Sequence, residues 1–204
     1  MIVAAAAVGA LFGSRLLGIL EQEPAMGALT WRAFLLPGGK TIVGGLLGGW
    51  LLVELTKRWQ RLSSRTGDLF AVPLCVGIAI GRVGCFFAGI ADDTYGDQTA
   101  LPWGIDFGDG ARRHPTQLYE ILFLLALAAF LAVRMRRPYV RGSIFRIFLA
   151  SYLGFRLVID FLKPQPVVLG MSVIQWACLG GLMLLVPAMF SEHDVEPRLS
   201  RGEV

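Results

Sequence analysis

Six apolar stretches, at about 1–20, 41–56, 69–90, 117–133, 143–162 and 167–190, recur along the 204 residues with short polar connections between them. That recurrence is the strongest constraint on the fold. A bilayer crossing needs roughly 20 mostly apolar residues, and somewhat fewer when the segment is broken or packed inside a bundle. The expectation is an all-α, polytopic helical membrane protein with about six transmembrane helices. Composition agrees, since 55% of the residues are hydrophobic and 17% charged, where a soluble domain carries about a quarter charged residues. Residues 1–190 read as a single transmembrane domain and 191–204 as a cytoplasmic polar tail. No low-complexity linker or internal repeat divides the chain. Met1 leads straight into "IVAAAAVGALFG" with no basic segment before it, and Arg15 interrupts the run. This favours a first span cut close at its start over a cleaved signal peptide.

The connections orient the chain. Lys57, Arg58, Arg61 and Arg65 lie in 57–68, and Arg134, Arg136, Arg137 and Arg141 in 134–142. The remaining connections hold at most two basic residues each: Arg32 with Lys40, Arg112 with Arg113, and Lys163. Basic residues stay on the cytoplasmic side, so 57–68, 134–142 and the tail face inward and 91–115 faces outward. The two basic loops also account for the net charge of +4, and nucleic acid is not an expected partner. Cys75, Cys85 and Cys178 lie inside apolar segments with no CxxC, and behave as small hydrophobes. No metal site and no cofactor are expected.

Charges inside the spans carry the functional signal: Arg15, Arg82, Glu120, Arg146, Arg156 and Asp160. An ionisable group at membrane depth costs at least a few kcal/mol and normally faces a polar cavity or a partner. Structural ion pairing is one reading, since Arg156 and Asp160 stand four apart on one helical face. An interior polar site around Arg82, Arg156 and Glu120 is the other. GxxxG pairs at 9–13, 44–49 and 77–81 predict close helix packing, with Arg82, next to Gly81, held at such a contact. "RRHPTQLYE" at 112–120 concentrates polar chemistry before the run "ILFLLALAAFLAV". Pro115 suits a first helical turn, and Thr116 or Gln117 is expected to satisfy free backbone N–H groups there.

These residues carry a family resemblance. "GRVGCFFAGIADDTYG" at 81–96, "RHPTQLYE" at 113–120 and "GFRLVIDF" at 154–161 resemble, in order and spacing, the three main motifs of the bacterial prolipoprotein diacylglyceryl transferases. "IVGGLLGG" at 42–49 is similar to that family's HGG segment, and "GALFGSRLLGIL" at 9–20 to its early GGR helix. The likeness runs from about residue 7 to 186, and "RHPTQLYE" is its most specific part.

The resemblance implies a multi-pass enzyme of the bacterial inner (cytoplasmic) membrane, with its site toward the periplasmic side. Its partners would be phosphatidylglycerol, membrane lipid and the signal-peptide region of a preprolipoprotein. The diacylglyceryl group would pass to the lipobox cysteine thiol, and glycerol phosphate would leave. Arg82 and Arg156 match the family's essential arginines. Planar guanidinium groups suit a phosphate ester, and the two are expected to line one cavity. His114 is a candidate base, because imidazole exchanges protons near neutral pH; a structural role at the helix start is the alternative. Asp160 completes the expected catalytic set. Arg15, Cys85, Asp92, Asp93, Gly96, Arg113, Gln117, Tyr119 and Glu120 are the expected substrate-binding residues.

The chain departs from the family pattern in several places. Val43 stands where the family has histidine, Cys85 where it has asparagine, and Asp160 where it has glutamate. "GIADDTYG" holds about three extra residues, leaving Asp92 or Asp93 for a family glutamate. Family members have seven spans, and the six seen here imply that the first is lacking. Two other readings stay open: a relative using the same phospholipid chemistry on another acceptor, and a non-catalytic lipid-binding membrane protein or transporter. A transporter would be expected to show inverted repeats or paired broken helices.

Overall fold

A computed structural model describes residues 1–22, 39–62 and 66–190, with side chains to 186. Each apolar stretch contains a helix: α1 Ile2–Gln22, α2 Ile42–Trp59, α3 Asp68–Ala88, α4 Thr116–Arg134, α5 Ser143–Ile159 and α6 Val173–Phe190, the start of the last stretch, 167–172, forming a short hairpin instead. The ranges Ile2–Glu21, Asp68–Asp92 and Thr116–Arg134 are long and apolar enough to cross a membrane, and Val173–Val186 is a shorter apolar helix. The protein is thus an all-α polytopic membrane protein. The tail expected at 191–204 lies outside the described residues, as do Arg32 and Arg65.

The chain groups into two compact units. One comprises Met1–Ser64, Leu153–Phe161 and Gln165–Leu184; the other comprises Arg65–Tyr152, Leu162–Pro164 and Leu185–Val204.

In the first unit α1 and α2 approach through glycine. A Cβ on Gly9 would collide with the carbonyl of Gly48, and one on Gly13 with that of Gly44; the collisions are reciprocal. Small residues one turn apart let backbones meet this closely in lipid, where helix association rests on packing rather than hydrophobicity. Thr41 starts α2 by accepting the Gly44 N–H at 3.1 Å, the usual use of a hydroxyl at a helix start. Helix α6 opens with a reciprocal cap. Gln175 N–H donates to Ser172 Oγ at 3.1 Å while Ser172 N–H donates to Gln175 Oε1 at 2.8 Å, the Ser-x-x-Gln form of the capping box. Just before it, β3 Val167–Val168 and β4 Met171–Ser172 form a short antiparallel hairpin.

In the second unit α3 packs on α4. Asp68, buried in the first turn of α3, accepts N–H groups from Gly142 at 2.6 Å and Phe145 at 2.9 Å. It thereby satisfies orphan donors at the start of α5, where a negative charge is also favoured. Leu124, Leu131, Phe148, Leu149 and Tyr152 are completely buried around this framework. The 77–81 pair corrects an expectation: among the described residues, a Cβ at Gly77 or Gly81 would meet nothing within 4 Å. Close glycine packing therefore does not hold Arg82; its ion pair, described next, does.

Candidate active site

Helices α3, α4 and α5 each send one polar side chain to a common point in the second unit. Arg82 Nε lies 2.9 Å from Glu120 Oε2, and Tyr152 Oη donates to Glu120 Oε1 at 2.6 Å. Exposure is 6% for Arg82, 1% for Glu120 and 0% for Tyr152, so the charges are held away from bulk solvent. Arg82 Nη1 also reaches Cys85 Sγ at 3.8 Å, and Cys85 is half-buried. A buried ion pair is weak evidence for stability, because a well-packed apolar replacement is often neutral or better. Its presence at membrane depth points to use. The spans suggested Arg82 and Glu120, while Tyr152 escaped notice. Its signal was a phenol inside an apolar run, since a buried tyrosine hydroxyl usually needs a partner.

Arg156 and Asp160 belong to the first unit. Arg156 Nη2 donates to Asp160 Oδ1 at 2.7 Å, with side-chain exposures of 4% and 0%. The i,i+4 spacing correctly anticipated this pair, which sits where α5 passes into a 3₁₀ turn at Asp160–Leu162. Arg15 is half-buried on α1 of the same unit.

The remaining candidates surround the segment 92–120 of the second unit. Gly96 is a packing point: a Cβ there would come within 2.7 Å of His114 Cβ and 2.8 Å of the Leu162 carbonyl oxygen. Its N–H donates to the His114 carbonyl at 2.9 Å, and the His114 N–H donates to the Asp97 carbonyl at 3.0 Å. The helix-start expectation for Thr116 and Gln117 needs correction. Thr116 Oγ1 donates to the Thr94 carbonyl at 2.7 Å, and Gln117 Nε2 donates to Thr94 Oγ1 at 3.2 Å. Both side chains thus tie the preceding loop to α4, while Pro115 occupies the cap position with no side-chain cap. Thr94 in turn donates to Asp92 Oδ2 at 2.6 Å, which fixes Asp92. Asp93 is exposed with φ 53°.

Arg113 lies in β2 (Arg112–Arg113), paired with β1 (Ile105–Asp106). Two of its nitrogens reach Asp109 Oδ2, at 2.8 and 2.5 Å, and the guanidinium stacks 4.8 Å from the Tyr95 ring centre. The Arg113 hydrogen bonds hold the Asp109 carboxyl below its ordinary range and raise Arg113 in return. Tyr119 Oη accepts the Trp103 indole N–H at 2.8 Å and lies 3.4 Å from His114 Nδ1. Trp103, Thr94 and Asp109 carried no sequence signal, because each acts through a partner brought close by the loop's path.

A family model for prolipoprotein diacylglyceryl transferase matches residues 1–191. The chain belongs to the prolipoprotein diacylglyceryl transferase family. It is 33% identical over 181 residues to the phosphatidylglycerol–prolipoprotein diacylglyceryl transferase of Bordetella parapertussis, covering 83% of this chain and 68% of that protein. The similarly named protein of Bordetella avium is 34% identical over 195 residues, covering 88% of this chain and 73% of the relative. That of Nitratidesulfovibrio vulgaris (strain Hildenborough) is 32% identical over 203 residues, covering 96% and 75%. The protein is therefore an integral-membrane transferase of lipoprotein biosynthesis. Val43, which the motif likeness sets against the family's HGG histidine, is buried at 1% exposure in α2 and carries no titratable group.

Proposed function

We propose that this transferase moves the diacylglyceryl group of phosphatidylglycerol to the lipobox cysteine in the signal-peptide region of a preprolipoprotein. The thiol sulfur forms a thioether bond to the glyceryl carbon, and that carbon's bond to the phosphate oxygen breaks. The thiol proton leaves through a base, and glycerol phosphate departs with the bonding electrons. The observation that carries this reading is the buried Arg82–Glu120–Tyr152 constellation, in which Arg82 and Glu120 come from two of the motifs that resemble the family's and Tyr152 lies just before the third. Glu120 and Tyr152 hold the guanidinium in place, so an arriving phosphate meets a fixed cation in water-poor surroundings, where such stabilisation is strongest. Arg156, oriented by Asp160 within the first unit, is assigned a phosphate-handling role by its motif. Arg113, Gln117 and Tyr119 support the loop beside α4, with Arg15, Cys85, Asp92, Asp93 and Gly96 in supporting or substrate-facing roles.

The positive-inside distribution of 57–68 and 134–142 supports insertion in the inner membrane with 91–115 on the periplasmic side. Expression in a bacterium depleted of its own transferase tests the function. Restored growth with lipid-modified lipoprotein is expected. Full-length expression without rescue would favour the same phospholipid chemistry on another acceptor.

A further inference from the structure

His114 has two possible jobs in a transfer reaction, and its neighbours choose between them. A neutral imidazole has one donor and one acceptor nitrogen, and the hydrogen bond at one nitrogen sets the state of the other. His114 Nδ1 lies 3.4 Å from Tyr119 Oη, with the rings edge-on at 62°. Tyr119 Oη also receives the Trp103 indole N–H at 2.8 Å. An indole only donates, so one phenol lone pair is already taken. Among the described residues these are the two hydrogen-bonding contacts of Tyr119 Oη.

If Nδ1 carried the imidazole proton, two N–H groups would converge on one phenol oxygen. The phenol hydrogen would then have no protein acceptor among the described residues. The opposite arrangement uses every hydrogen: Trp103 N–H to Tyr119 O, and Tyr119 O–H to His114 Nδ1. Aligned donors of this kind also polarise one another. The 3.4 Å gap is long for such a bond, as catalytic hydrogen bonds often are before substrate arrives.

We infer that Trp103 and Tyr119 form a relay that fixes neutral His114 as the Nε2–H tautomer, so that it offers substrate a hydrogen-bond donor rather than a base. Tyr119 and Trp103 are then positioning residues acting through His114. Resting on the proposed function, the group that Nε2–H serves is an anionic or ester oxygen of the phospholipid donor. Proton removal from the thiol falls to another group, with Asp92, which accepts the Thr94 hydroxyl, as a candidate.

The test is ¹⁵N NMR of the full chain in lipid nanodiscs, labelled at histidine, at a pH about two units above the ordinary imidazole value of about 6.5. The His193→Gln variant leaves one histidine to observe, since the chain has 2. Protonated and lone-pair nitrogens resonate in separate ranges, so the tautomer is read directly. The expected spectrum has a protonated Nε2 and a lone pair on Nδ1. Tyr119→Phe is expected to shift the population toward Nδ1–H, and Trp103→Phe to do so to a smaller degree. An Nδ1–H tautomer in the parent, or a ratio unchanged by Tyr119→Phe, would overturn the inference.

None of this requires turnover, so it stands apart from the proposed reaction. With turnover in hand, His114→Gln retains an amide donor. It should lose far less than the ~10²–10⁴-fold that removing a general base costs. A loss of that size would return His114 to the base role.

Discussion

The α1–α2 seam and the α3–α4 seam solve one problem in opposite ways. Both bring two apolar helices together. The first does it chiefly through glycine: Gly9, Gly13, Gly44 and Gly48 leave no room for a side chain. The second carries Arg82 against Glu120, while nothing among the described residues comes within 4 Å of a Cβ at Gly77 or Gly81 on α3. A glycine seam costs no ion desolvation, so it serves where only adhesion is needed. Burying a guanidinium and a carboxylate costs several kcal/mol per ion before their attraction returns it. A charged seam beside an available glycine solution therefore supports the proposal that α3 and α4 carry the chemistry.

The largest expected effect separates the seams directly. Arg82→Met leaves the Glu120 carboxylate buried without its ion partner and should cost roughly 3–5 kcal/mol, seen as a lower unfolding midpoint in detergent. Arg82→Met combined with Glu120→Leu should recover much of that stability without recovering activity. A recovery of both would remove the distinction between the seams. Next comes Tyr152→Phe, which takes one hydrogen bond from a buried carboxylate and should cost about 1.5–3 kcal/mol. Gly13→Ala forces a methyl against the Gly44 carbonyl and should cost about 1–3 kcal/mol as overpacking. Its turnover per folded molecule should be unchanged, which calibrated assays of the purified variant would show. A tenfold fall in that rate would mean that the glycine seam also shapes the reacting centre.

The smallest effect lies outside both seams. The Asp109 carboxyl is depressed by Arg113, so its contribution is present above the ordinary carboxylate range and fades as pH falls through the lowered value. Amide exchange at Ala111, whose N–H donates to Asp109 Oδ1, should stay slow through the ordinary carboxylate range and rise only below it. Asp109→Asn should remove that protection above the lowered value and make little difference below it.

Hydropathy alone located the six long helices found among the described residues, since each apolar run is long enough to act through its own backbone hydrogen bonds. The Arg156–Asp160 pair was legible for a similar reason: four residues on a helix fix who meets whom. What sequence could not give was pairing across elements. Glu120 stands 38 positions after Arg82, and Tyr152 another 32 after Glu120, so their meeting depends on how three helices pack. The Gly77–Gly81 pair shows the converse. A GxxxG pattern permits close approach without requiring it, and here no helix among the described residues takes the offer. The loop contacts of Thr94, Trp103 and Asp109 depend on turns with no periodicity to read.

The central claim is that the Arg82–Glu120 seam is the seat of diacylglyceryl transfer, and product formation tests it most directly. Purified full-length protein would be incubated with phosphatidylglycerol and a lipobox-cysteine peptide, with the peptide mass and released glycerol phosphate followed together. The expected result is a thioether-linked diacylglyceryl peptide with an equal amount of glycerol phosphate. Arg82→Lys should remain folded yet slow this about 10²–10³-fold, because an ammonium does not reproduce the guanidinium fork. A parent protein that forms no adduct, or an Arg82→Lys variant that forms it at the parental rate, would contradict the claim.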